Sequence, residues 1–93
     1  MLFMIVATPK PDKSRKEIID RLTTDLHPET WELIRHGNLS NIYYTDEEKP
    51  GFFALLNARS PAEAKALVEN GSARLDQFTL VVHPVRHFPN FEE

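Results

Sequence analysis

Four histidines and a pair of adjacent tyrosines are the side chains here best suited to moving a proton, because the chain has no cysteine to act as a nucleophile. Removing a proton from an acidic C–H needs a base with a pKa near neutrality, and an imidazole supplies one. His83 closes the run Phe78 to His83, where it is the candidate base, with Thr8, Asn41, Tyr43 and Asn57 as polar groups to orient a substrate. Its alternative role is a rim histidine bonded to a backbone carbonyl. Tyr43 and Tyr44 are neighbours in an extended run, so they take opposite faces, and Tyr43 is the candidate for a cleft. The alternative for Tyr43 is a packed ring with a satisfied hydroxyl.

The remaining polar clusters point to structure first. His36 follows Arg35 at the end of a helical pattern, where positive charge suits the free carbonyls, and His27 and His87 read as surface or tail residues. His83 and His87 are four apart, but Pro84 keeps them off a common helix face, so no metal site is expected. Nothing in the sequence calls for a cofactor. Lys10, Lys13, Arg15 and Lys16 gather where the first helix should begin, and free N–H groups there attract a carboxylate or phosphate. Solvated lysines, diluted by Asp12 and Glu17, are the alternative.

These residues are positioned by four strands and two helical stretches. Leu2 to Thr8 reads as a strand stopped by Pro9-Lys10-Pro11-Asp12-Lys13. Ser14-Arg15-Lys16-Glu17 has the form of a capping box, and Ile18, Ile19, Leu22, Leu26 and Leu33 share one helical stripe. Pro28 predicts a kink, or a break with Pro28 opening a second segment, and Gly37 predicts a left-handed cap. Leu39 to Tyr44 and Phe52 to Ala58 then form a hairpin across Asp46 to Gly51.

Ser60-Pro61-Ala62-Glu63 repeats the helix-start signal, Ala64, Leu67 and Val68 form the buried stripe, and Gly71 ends the helix. After a loop from Ser72 to Gln77, Phe78 to His83 is the last strand. Residues 84 to 93 read as a C-terminal tail of the single domain 1 to 93, with Phe88 and Phe91 as exposed aromatics.

The order βαββαβ is that of a ferredoxin-like plait, an α+β fold with a four-stranded antiparallel sheet and both helices on one face. The strands are nevertheless apolar on both sides. Phe78, Leu80 and Val82 should face the helices, and Thr79, Val81 and His83 the other way with Met4, Val6 and Thr8. Such a face is too apolar for water and predicts a partner or a ligand.

Composition agrees with one small soluble-type domain: 93 residues, 41% hydrophobic, 27% charged, three glycines and seven prolines. A net charge of −3 provides no basic footprint for nucleic acid. The N-terminal apolar run is far shorter than the ~20 residues of a membrane span and has no basic segment before it, so neither a span nor a signal peptide is expected. Lack of cysteine suits a cytoplasmic protein. An RNA-binding plait would need rings on one face, but Phe52 and Phe53 are adjacent and must part.

Several segments together resemble the dimeric α+β barrel superfamily, and within it the small muconolactone isomerase-like bacterial proteins. They are the opening Met1-Leu2-Phe3-Met4-Ile5-Val6, Gly37 after the first helical stretch, the run Gly51-Phe52-Phe53-Ala54-Leu55-Leu56-Asn57-Ala58-Arg59-Ser60 entering Pro61-Ala62-Glu63-Ala64, and the closing Val82-His83-Pro84-Val85-Arg86-His87.

The resemblance spans nearly the whole chain. It implies a homodimer or larger homo-oligomer joined through the sheet face, and a cleft for a small organic ligand inside the barrel or between sheet and helices. It also implies an isomerase or cyclase acting on a lactone or polyketide-like substrate, with His83 as base and Tyr43, Asn41 and Asn57 positioning the substrate against Thr8, Met4 and Val6. Isomerases of this kind carry several ionisable groups on the first and last strands, whereas Met4, Val6 and Val81 stand there in this chain. The segment Asn70 to Gln77 also lacks the proline and aromatic residues usual in that loop. A non-catalytic ligand-binding or assembly protein with a filled barrel is the alternative.

Overall fold

Each strand of this chain divides its side chains between two environments, and the backbone ladder sets the division. In the computed structural model, which describes residues 1–23, 28–72 and 76–87, the strands are β1 (Leu2–Pro9), β2 (Leu39–Tyr44), β3 (Phe52–Asn57) and β4 (Phe78–Val85). The helices are α1 (Arg15–Thr23), α2 (Pro28–Arg35) and α3 (Pro61–Ser72). The sheet order is β2-β3-β1-β4, and every neighbouring pair is antiparallel. This is the ferredoxin-like plait, with the first helical stretch in two pieces and Pro28 opening the second.

Helix packing uses one set of alternating residues. Phe3 and Ile5 of β1, Ala54 and Leu56 of β3 and Ala64 of α3 form one buried cluster, against which Leu67, Val68 and Val82 pack. Ile18 of α1, fully buried, joins Ala7 and Phe78 in a second cluster with Leu22 and Leu80 around it. Phe52 touches both clusters and meets Phe78 edge to face, with ring centroids 5.8 Å apart. Both α1 and α3 therefore cover the same side. Leu26 and His27 lie outside the described residues, as do Phe88 and Phe91.

The helix ends follow their local chemistry, with some changes of partner. The Glu17 N–H donates to Ser14 Oγ at 3.1 Å, but the Glu17 carboxylate takes the serine hydroxyl rather than the serine N–H. At α3 the Glu63 N–H donates to Ser60 Oγ at 3.1 Å. The Glu63 carboxylate reaches one residue further back and accepts both the Arg59 N–H (3.3 Å) and Arg59 Nε (2.8 Å). After α2, Asn38 N–H bonds Leu33 O and Gly37 N–H bonds Ile34 O, with Gly37 at φ 79°. That is a Schellman ending, which needs a left-handed residue at Gly37.

Several boundaries differ from expectation: β1 runs on through Pro9, which pairs with Phe78, and β3 ends at Asn57, one residue before Ala58. β4 runs on through Pro84 and Val85, which pair with Phe3 and Leu2. A tail beginning at Pro84 is thus corrected: β4 is an outer strand, where a residue without an N–H costs little. α3 continues one residue past Gly71 to Ser72.

Gly51, at the end of the β2–β3 turn, is buried where β1 passes. A Cβ there would strike the Ala7 carbonyl oxygen, which is backbone and cannot swing away. The turn is held by Gly51 N–H donating to Thr45 Oγ1 (2.8 Å) and Thr45 N–H donating to Gly51 O (3.0 Å). Gly51→Ala should therefore cost about 1–3 kcal/mol through overpacking, measured by urea unfolding. Arg59 holds the Glu63 carboxyl below its ordinary pKa, chiefly through the side-chain hydrogen bond. That stabilisation is present above the ordinary carboxylate pKa and is lost as pH falls through the lowered one. Glu63→Gln should make unfolding stability less dependent on pH in the acid range than in the parent.

Candidate functional site

The ladder that buries Phe3, Ile5 and Ala7 turns the intervening residues of β1 to the uncovered side. Register then fills in the face. Met4 pairs with Leu55 on one side and His83 on the other, and Val6 pairs with Phe53 and Val81. Thr8 stands beside Thr79, and Leu2 lies between Asn57 and Val85. On β2, Tyr43 pairs with Phe53 and Ser40 with Leu55.

Two transverse rows result. One reads Tyr43, Phe53, Val6, Val81, and the other Ser40, Leu55, Met4, His83. Tyr43 is 63% exposed, Val81 43% and Phe53 40%, so no described residue of this chain covers them.

Tyr43 reaches this face because β2 is irregular. Between Ser40 and Tyr43 the register shifts, so that Asn41 and Ile42 stand against Ala54 alone. Asn41 has φ 53°, a left-handed conformation that asparagine accepts more readily than most residues. Strict alternation would group Asn41 with Tyr43. With the bulge, Ser40 is the β2 residue that shares the face with Tyr43, and Asn41 sits exposed in the bulge itself.

The face is uncharged. In a chain that is 27% charged, none of the described strand residues assigned to it is Asp, Glu, Lys or Arg, and its titratable groups are His83 and Tyr43. The helix side offers no alternative site, since among the described residues no polar or charged one is buried there or elsewhere.

The candidate residues all lie in the sheet, but it does not gather them. His83 and Tyr43 occupy the two outer strands, three strand spacings and one row apart, roughly 16 Å at ~4.8 Å per strand. Around His83 the same-face neighbours are Val81, Val85, Met4 and Leu2. Thr8 and Asn57 stand at opposite ends of the face, and Met4 and Val6 form its middle. Within one chain, no polar candidate is within reach of an atom held at the imidazole. Sequence reasoning did not name Phe53, Leu55 or Ser40 for the face; the hairpin register would have found the first two, and only the bulge reveals the third.

His36 takes a structural role at the end of α2. His36 Nδ1 lies 2.8 Å from Glu32 O, in the last turn of α2, and 3.5 Å from the Glu32 carboxylate. At the start of α1 the Ser14 cap already serves one free N–H, and Lys49 Nζ donates to Pro11 O at 3.4 Å. Phe3 is 3% exposed and belongs to the helix-side core, so it is not a ring of the open face. Among the described residues no three histidines or carboxylates converge as a metal site, and no helix is long and apolar enough to cross a membrane.

No family model and no curated protein matches this chain. Among solved structures it is similar to 5-chloro-2-hydroxyhydroquinone dehydrochlorinase (TftG) from Burkholderia phenoliruptrix AC1100, in complex with 2,5-dihydroxybenzoquinone. The TM-score is 0.66 at 22% identity, over 94% of this chain and 95% of that one. At this identity the likeness shows a shared fold.

Because the bulge sets which β2 residues join the face, its conformation can be tested. Asn41→Gly should change stability by only a few tenths of a kcal/mol, whereas Asn41→Val should cost about 1–2 kcal/mol, the strain of a left-handed backbone with a branched side chain. Paired urea unfolding curves check this.

Proposed function

We propose that this chain is a small-molecule-binding protein of the dimeric α+β barrel type, in which a second copy closes the open sheet face. Within that barrel it acts as a muconolactone isomerase-like isomerase or cyclase on a lactone or polyketide-like molecule. The observation that carries the reading is the uncharged face, apolar at its centre, with His83 as its imidazole. A surface without fixed charges meets a copy of itself without like-charge repulsion, and charge depletion is typical of interface cores. A small domain also gains stability by burying such a face. The neighbour of like fold was solved with a flat, oxygen-bearing ring, which supports a ligand of that size and shape. Lack of cysteine makes the cytoplasm a suitable location.

The chemistry assigned to His83 needs no redox partner. Its neutral imidazole takes a proton from the carbon next to a carbonyl, and the C–H electron pair moves into a new C=C as charge passes to the carbonyl oxygen. Return of the proton from the imidazolium to the far carbon of the conjugated system shifts the double bond. Tyr43, Asn41, Asn57 and Thr8 are the groups available to hold the oxygens, and Met4 and Val6 form the floor. A non-catalytic binding or assembly role is the second reading, favoured by the apolar surroundings of His83 in its own sheet.

Sedimentation velocity at micromolar concentration should show a dimer or larger oligomer, and Val81→Lys should shift it toward monomer; a parent that stays monomeric overturns the architecture. Screening lactones, aromatic polyketides and quinones by thermal shift should reveal a stabilising ligand, worth about 2.7 kcal/mol at 100 times its Kd. With a substrate in hand, His83→Gln should lower kcat by about 10²–10⁴-fold while preserving the thermal shift. Unchanged turnover removes His83 as the base.

A further inference from the structure

The face that awaits a partner is uneven in height, and the unevenness is ordered. Along the row Tyr43, Phe53, Val6, Val81 two rings on β2 and β3 are followed by two valines on β1 and β4. Along the next row, Ser40, Leu55, Met4, His83, the smallest side chain is on β2 and the imidazole is on β4. Two such faces can be stacked by a two-fold axis lying between them, either along the strands or across them. An axis along the strands, between β3 and β1, lays β2 of each copy over β4 of the other. Tyr43 then meets Val81, Phe53 meets Val6 and Leu55 meets Met4, so large stands on small and medium on medium, as close packing requires. An axis across the strands keeps β2 over β2 and β3 over β3, with Phe53 crowding Leu55.

The strand-parallel arrangement leaves one undersized pair, the partner's Ser40 over His83. Space is therefore left beside the imidazole and nowhere else in these two rows. We infer that the ligand cleft is shared between two copies, with His83 of one protomer forming its floor and the partner's Tyr43 and the partner's Ser40 supplying the hydroxyls above it. This rests on the sheet-to-sheet dimer proposed above and removes the difficulty that His83 has only apolar neighbours in its own sheet. The separation of roughly 16 Å between His83 and Tyr43 in one chain becomes, across the interface, about one row of lateral offset at a sheet spacing of ~10 Å. Each dimer holds two such clefts, and neither is complete in a monomer.

The absence of cysteine allows a direct test. Tyr43→Cys, Val81→Cys and the double variant are treated with a short bismaleimide that spans the ~10 Å between packed sheets. Positions 43 and 81 of one chain are three strand spacings apart, roughly 14 Å, which puts them beyond the reagent's reach within one chain. Both side chains are exposed, so the fold should tolerate the changes. The double variant should convert mainly to covalent dimer, at least tenfold above either single variant, and sedimentation of unreacted protein reports the oligomer independently. Dimers in which the double variant links no better than the singles overturn the shared cleft and leave the dimer standing. A parent chain that sediments as a monomer overturns both.

Discussion

The alternation of β1 between two neighbours is the constraint on which the rest depends. As an inner strand, paired along its length with β3 and β4, β1 sends Phe3, Ile5 and Ala7 into the helix layer and Leu2, Met4 and Val6 to the other side. Both sets are apolar. A slip of one residue would exchange them, placing Phe3 at the open face and stranding Ile18 and Ala64 against smaller or differently shaped partners. The helix layer therefore selects the register, and the register in turn decides which residues await cover. Gly51 reinforces this, because its close passage by Ala7 ties the β2–β3 turn to β1 at a single position.

The distribution of polarity follows from the same split. On the helix side the fully buried positions among the described residues are all apolar, and polar contacts such as Arg21–Gln77 lie at its margin. Charged residues collect on helix exteriors and turns, where pairs such as Arg59–Glu63 and Arg35–Glu32 form on the surface. Among the described strand residues, the open face carries hydroxyls, amides and one imidazole but no carboxylate.

Much of the fold was legible because each element is marked locally and globally by the same residues. Ser14, Ser60, Pro28 and Gly37 delimit helices by their own backbone chemistry, and the periodicity of Phe78, Leu80 and Val82 against Thr79, Val81 and His83 reads directly as two faces. The site was less legible. Asn41 and Tyr43 appear as partners only if β2 alternates regularly, and the bulge is a property of how β2 meets β3 rather than of either segment. Likewise, His83 and Tyr43 look like a pair in a list of candidates, but strand order sends them to opposite borders, which no local pattern reveals. Pro84 suggested a stop because a proline cannot donate, yet on an outer strand nothing demanded its N–H.

Both borders of the sheet carry an interruption, the bulge at Asn41–Ile42 on β2 and Pro84 on β4. Edge-to-edge addition of further strands, the route by which exposed sheets grow into filaments, meets a broken template at either side. The broad face has no such break. The irregularities that decide which β2 residues join the face thus also interrupt both of the edges along which further strands could add.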